Sequence, residues 1–165
     1  GNGFLSLSYN NMNEIKRKLR SLKKLEMKIR FGYSFYAESP DKKPSKMVLV
    51  WDDFFDIHDT DTRSASSRKA RYSLAEIAAK SREDFKSIIN EFFFNVYYKY
   101  YMENGIASFN LYDPEILKWM ELPQDSGIDE IKKRFRELAK KYHPDMGGDS
   151  SRFIELMENY KKLIE

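Results

Sequence analysis

From Met12 to Lys24 the apolar residues Ile15, Leu19 and Leu22 recur at i, i+4 and i+7 among Lys16, Arg17, Lys18, Arg20, Lys23 and Lys24. That spacing predicts an amphipathic helix with a basic outer face. At Leu25 the period changes. Leu25, Met27, Ile29 and Phe31 alternate with Glu26, Lys28 and Arg30, and Gly32 follows. Period two predicts a strand with one buried face. Glu38 to Lys46 carries Pro40 and Pro44 among charges and reads as a loop, while Met47 to Trp51 is a short apolar run suited to a buried strand. The two apolar runs are expected to pair as antiparallel neighbours. Asp52 to Arg71 reads as irregular, acidic in its first half and Ser/Arg-rich in its second.

Two helix starts follow. Ser73 precedes Glu76 by three residues, as Ser81 does Asp84, so each acid is placed to reach back to the cap amide. The second opens a long helix with Phe85, Ile88, Ile89, Phe92, Phe93, Val96, Tyr97 and Tyr100 on its inner face, ending at Asn104-Gly105. The stretch from Phe92 to Tyr101 holds more aromatic rings than one buried face can use, so some must face another element or a partner. Asp113-Pro114-Glu115 is a further start, with Asp as cap, Pro where no amide hydrogen is needed, and Glu at the positive end of the dipole. Its helix, with Ile116, Leu117 and Met120, should run to about Glu121 and stop at Leu122-Pro123. A second helix is predicted over 128–142, with Ile128, Ile131, Phe135, Leu138, Ala139 and Tyr142 inside; Pro144 dictates its end. Gly147 and Gly148 let the chain reverse, and Asp149 or Ser150 caps a third helix that buries Phe153, Leu156, Met157, Tyr160, Leu163 and Ile164. Two antiparallel helices thus hold out a rigid tip, His143-Pro144-Asp145.

The 165 residues are 41% hydrophobic and 33% charged, with no Cys. A chain of this length forms one medium domain or two small ones and buries about two thirds of its unfolded surface without a staple. The lack of Cys excludes thiolate metal sites, cysteine nucleophiles and disulfides. No apolar run approaches the roughly 18 to 20 residues of a membrane span, and no leader-like apolar segment opens the sequence, which reads as soluble and cytoplasmic. Residues 1 to 46 hold 11 basic and 4 acidic side chains, while the remainder is net acidic. Such asymmetry suits an anionic partner, although a solvated basic helix is its commoner cause.

The stretch from Tyr112 to Glu165, with its core Phe135-Arg136-Glu137-Leu138-Ala139-Lys140-Lys141-Tyr142-His143-Pro144-Asp145-Met146-Gly147-Gly148-Asp149, resembles the J-domain of the DnaJ family of co-chaperones. It covers about a third of the chain. The resemblance implies docking on the ATPase side of a DnaK-type chaperone, stimulation of ATP hydrolysis there, and coupling of that hydrolysis to client capture. The hydrolytic site would be the partner's, making this chain a regulator rather than an enzyme, with no cofactor of its own. By the same resemblance His143, Pro144 and Asp145 match the loop that triggers the partner's ATPase. Lys132, Lys133, Arg136 and Lys140 lie on the helix that meets an acidic surface, and Phe135 takes the mid-helix aromatic position, usually Tyr. Two departures stand out. Glu137 occupies a commonly basic position, and the stretch to Glu165 is expected to form a J-domain without the family's short fourth helix.

The charges of the same helix point the same way. Asp129 with Lys133, Glu130 with Arg134, and Glu137 with Lys141 are i, i+4 pairs with the acid first, as a self-sufficient solvated helix has them. Lys132, Arg136 and Lys140 form a same-sign stripe whose neighbours cost roughly 0.2 to 0.5 kcal/mol each, relieved within the helix only by i, i+3 acids such as Asp129 and Glu137. An acidic partner would relieve it further, although a solvated face is the commoner reading of such a stripe alone. His58, among Asp52, Asp53, Asp56, Asp59 and Asp61, offers ligands to a divalent metal, but the spacing fits no calcium loop, and a solvent-exposed turn is the preferred reading.

The expected fold is α+β and mostly α. An N-terminal domain over 1–108, with a basic helix, two short strands and a long aromatic helix, is joined near Ser108 to Leu111 to a J-domain over 112–165. The expected function is that of a co-chaperone whose N-terminal domain selects a protein client and concentrates the chaperone cycle on it. The rival is a nucleic-acid-associated protein that uses the basic segment from Lys16 to Arg30, with the J-domain as a remnant.

Overall fold

The computed structural model describes residues 9–32, 48–58, 69–105 and 114–164. The chain divides into two compact units, Gly1–Val96 and Tyr97–Glu165, and the division falls inside one long helix.

In the first unit, helix α1 runs Tyr9–Phe31 and buries Ile15, Leu19, Leu22 and Met27. Helix α2, Val50–Phe54, leads directly into strand β1, Phe55–Asp56. Strand β2, Tyr72–Ser73, pairs with it in parallel, Phe55 opposite Tyr72 and Asp56 opposite Ser73, and helix α3, Leu74–Ala78, follows at once. Helix α4, Arg82–Asn104, contributes Phe85, Ile88, Phe92 and Val96 to the same core. At its centre Phe92 meets Phe54 and Phe55 with ring centroids 5.7 and 5.6 Å away.

The fold is mostly helical with a small β part, as the sequence implied. The strands, however, lie elsewhere. Leu25 to Phe31 continues α1, and the described part of the Met47 to Trp51 run is an extended cap, Leu49, followed by the first residues of α2. The antiparallel pairing of these runs is therefore replaced by the parallel bridge of β1 and β2.

Glu26 explains the first correction. A buried carboxylate in a core position breaks the helical hydrophobic period and makes its neighbours look alternating. Glu26 is fully buried, one turn beyond Leu22 and one turn before Arg30, while Leu25 is 40% exposed. Its Oε2 accepts the Val50 N–H at 2.7 Å and an Arg30 guanidinium N–H at 2.8 Å, and its Oε1 accepts the Trp51 N–H at 2.8 Å. Leu49, the cap of α2, has no side-chain acceptor for those amides. Glu26 thus caps α2 from another helix, satisfying donors that a helix start leaves open. The Trp51 indole N–H donates to the Leu19 carbonyl oxygen at 2.7 Å, a second tie between α1 and α2.

The two Ser caps form as expected. Ser73 Oγ accepts the Glu76 N–H at 3.2 Å and Ser81 Oγ accepts the Asp84 N–H at 3.1 Å. Gly105, at φ +62°, follows the end of α4.

In the second unit, helix α5 spans Pro114–Trp119, α6 spans Ile128–Tyr142 and α7 spans Ser150–Ile164. Pro114 takes the first helical position as predicted, while Asp113 lies outside the described residues. The helix α5 stops short of Glu121, which adopts φ +60°, and the Leu122 N–H returns to the Leu117 carbonyl at 2.9 Å. Arg134 of α6 secures this end, donating from Nε to the Met120 carbonyl at 2.8 Å. The α6 and α7 hairpin closes over Ile131, Phe135, Leu138, Phe153, Leu156, Met157 and Tyr160. Ile128, expected inside, is 51% exposed, because it begins the helix before the hairpin closes.

Candidate functional site: the tip of the helical hairpin

Helix α6 ends where Pro144 requires. His143 is extended, at φ −65° and ψ 131°, and Pro144–Met146 forms a single 3-10 turn. The His143 carbonyl accepts two amides, from Met146 at 3.0 Å and Gly148 at 3.1 Å, and the Pro144 carbonyl accepts that of Gly147 at 3.0 Å. Gly147 stands at φ +76°, in the left-handed region. Gly148 is required for a different reason, as a Cβ there would overlap the Lys141 carbonyl oxygen and the Tyr142 backbone. The chain then enters α7, with Asp149 Oδ1 accepting the Ser151 N–H at 2.9 Å.

The tip presents its side chains unequally. His143 Nδ1 accepts the Asp145 backbone N–H at 3.1 Å, so in the neutral ring the proton resides on Nε2. The His143 side chain is only 18% exposed, whereas the Asp145 carboxylate is 90% exposed, with Oδ2 lying 3.8 Å from Nδ1. Since Nδ1 is already an acceptor, the amide contact is the one that orients the neutral ring. Arg152 of α7 braces the hairpin behind the tip. Its guanidinium lies 5.5 Å from the Trp119 ring centre and 5.6 Å from that of Tyr142, and it donates to Glu155 at 3.1 Å.

On α6, Lys133, Arg136 and Lys140 are exposed and Lys132 is partly so. The structure therefore sets these expected docking cations on the solvent side of the helix that carries His143. Phe135, at the mid-helix aromatic position on the helix expected to dock, faces the core. It is 1% exposed, with its ring 5.1 Å from Tyr160 and 5.8 Å from Tyr101, so it supports the helix from inside. Of the predicted i, i+4 pairs, Arg134 turns instead toward Glu121 at 3.3 Å and Glu137 at 3.5 Å. Glu137 is exposed beside the basic residues.

Sequence reasoning did not foresee what stands next to His143. The last turns of α4 belong to this unit. The Tyr98 ring meets the His143 imidazole edge-on, with centroids 4.7 Å apart and planes at 74°. Tyr101, one turn on, packs against Phe135 and Phe153. A groove of about 320 Å³ opens between these tyrosines and Arg136, Lys140, His143 and Met146. Burial pushes the Tyr101 phenol above its usual range, with Arg136 opposing the shift and Tyr98 adding to it. Tyr101 is therefore a neutral hydroxyl at physiological pH. The surplus of rings between Phe92 and Tyr101 was the signal that another element lay there.

Comparison with known proteins converges on the same segment. The DnaJ domain family matches residues 115–165. This segment is a J-domain. Chaperone protein dnaJ A6 of Oryza sativa subsp. japonica is 43% identical over 44 residues, which cover 27% of this chain and 11% of that protein. Chaperone protein DnaJ of Streptococcus thermophilus is 42% identical over 47 residues, and that of Staphylococcus aureus 44% over 47, each match covering 27% of this chain and 12% of the relative. The chain thus spans about a tenth of the length of these curated relatives. No solved structure matches.

Outside the J-domain, His58 lies in a turn where its N–H donates to Asp56 Oδ1 at 3.0 Å. Asp59 and Asp61 fall outside the described residues, and among the described residues no three His, Asp or Glu side chains gather as metal ligands. Among the described residues, too, no helix is long and apolar enough to cross a membrane.

Proposed function

We propose that this chain is a co-chaperone that docks on a DnaK-type chaperone through α6 and stimulates its ATP hydrolysis through His143, Pro144 and Asp145. The region N-terminal to the J-domain unit selects a protein client. One observation carries the reading: a J-domain tip with an ordered imidazole and an exposed carboxylate terminates a helix whose solvent side carries Lys133, Arg136 and Lys140. Exposed cations of one sign steer an acidic surface toward the helix and fix the docking orientation. The tip then acts by binding the hydrolysis-competent conformation of the partner more tightly than its resting one, since a ligand shifts an equilibrium only by that difference. ATP chemistry stays in the partner, and the chain contributes no catalytic group of its own.

Docking is tested by the affinity of the full chain for the ATP-loaded chaperone. Reversing Arg136→Glu together with Lys140→Glu is expected to weaken binding about tenfold or more at low salt, with the difference shrinking as salt rises. Unchanged affinity in the folded double variant contradicts docking through α6.

A further inference from the structure

The J-domain match begins at residue 115, yet the compact unit that contains it begins at Tyr97. The extra turns of α4 bring a ring to the one side chain of the tip that is not fully presented to solvent. We propose that Tyr98 is a positioning residue for His143, holding the imidazole in the single orientation that the tip requires, so that the working J-domain includes the end of α4.

Contacts from the tip and from α4 both bear on the ring. The Asp145 N–H engages Nδ1 at 3.1 Å, which selects the tautomer and ties the ring to the turn. The Tyr98 ring, at 4.7 Å and 74°, bears on the imidazole from α4, outside that turn. Edge-to-face contact of this kind is directional, because the positive rim of one ring meets the negative face of the other. Tyr98 is itself well seated. Its ring lies 6.0 Å from that of Phe153, which is fully buried, and Tyr101 one turn away spans Phe153 and Phe135. A group held by packed neighbours holds geometry more tightly than a loop does alone. The tyrosines leave an open groove of about 320 Å³ beside His143, and they do not plug the tip. Support is therefore the function assigned to Tyr98, and occlusion is the opposite prediction.

The proposal rests on the co-chaperone reading for its activity arm and is independent of it for its structural arm. Full-length Tyr98→Ala and Tyr98→Phe chains are compared with the parent. One readout is single-turnover ATP hydrolysis by a DnaK-type chaperone, and the other is the His143 χ1 coupling pattern in NMR spectra. Tyr98→Phe keeps the ring contact and is expected to match the parent in both. Tyr98→Ala is expected to average the His143 rotamers and lower stimulation roughly two- to tenfold, with its melting transition retained. Parent-like rotamers in Tyr98→Ala, or stimulation equal to or above the parent, overturn the proposal. A parent chain that stimulates no hydrolysis defeats the co-chaperone reading, and the rotamer comparison alone then supports or overturns the role of Tyr98.

Discussion

A few residues at the tip bear constraints that no other side chain can meet. Pro144 ends α6 and Gly147 turns the chain at positive φ, while Gly148 fits only because it lacks a Cβ against Lys141 and Tyr142. Gly148→Ala is accordingly expected to destabilise the second unit by about 1 to 3 kcal/mol, since backbone, not a flexible side chain, must yield. Urea unfolding of the full chain checks this, and a midpoint equal to the parent's would contradict it. Much of this was legible, because Pro and Gly act through local backbone geometry that depends little on tertiary context. The His143 environment was not legible, since its Tyr98 neighbour is distant in sequence and only the excess of rings hinted at it.

Among the elements, legibility followed the chemistry of the buried face. The predicted and observed bounds of α6 coincide, because its inner positions are apolar and its end is set by proline. The Ser73 and Ser81 caps are likewise local and formed as expected. Helix α1 was cut short in prediction because a buried carboxylate looks polar to any reading of periodicity. The same Glu26 carries an energetic consequence. Glu26→Ala removes the cap of α2 and the carboxylate that pairs with the Arg30 guanidinium, whose side chain is 4% exposed and which keeps the Val48 carbonyl at 3.1 Å, so a loss of about 3 kcal/mol is expected. Chemical denaturation measures it, and a change below about 1 kcal/mol would show that Glu26 is dispensable as a cap. The strands were misplaced for a related reason: two-residue strands offer no period to read, and their pairing depends on residues brought together by α2 and α3.

On the scale of the molecule, a J-domain without a client surface would stimulate hydrolysis with nothing to direct it. The proposed division of labour predicts that the two activities separate. Removing residues 1–81, with the fold of the remainder checked by circular dichroism, should abolish protection of the client while leaving stimulation of the chaperone in place. Client protection that survives the truncation would contradict a selecting role for the N-terminal domain. The proposed client has no signature in the sequence, because such recognition depends on surface shape and patch chemistry that no short motif encodes. The outer face of α1 carries Arg17, Arg20 and Lys24 exposed to solvent.

The most direct measurement is single-turnover ATP hydrolysis by a DnaK-type chaperone from the same source, with the full chain and with a His143→Gln variant whose fold is verified. Stimulation by the parent chain and none by the folded variant is the predicted result. Equal stimulation by both would contradict a trigger at the His143-Pro144-Asp145 tip, and stimulation by neither would contradict the co-chaperone function itself.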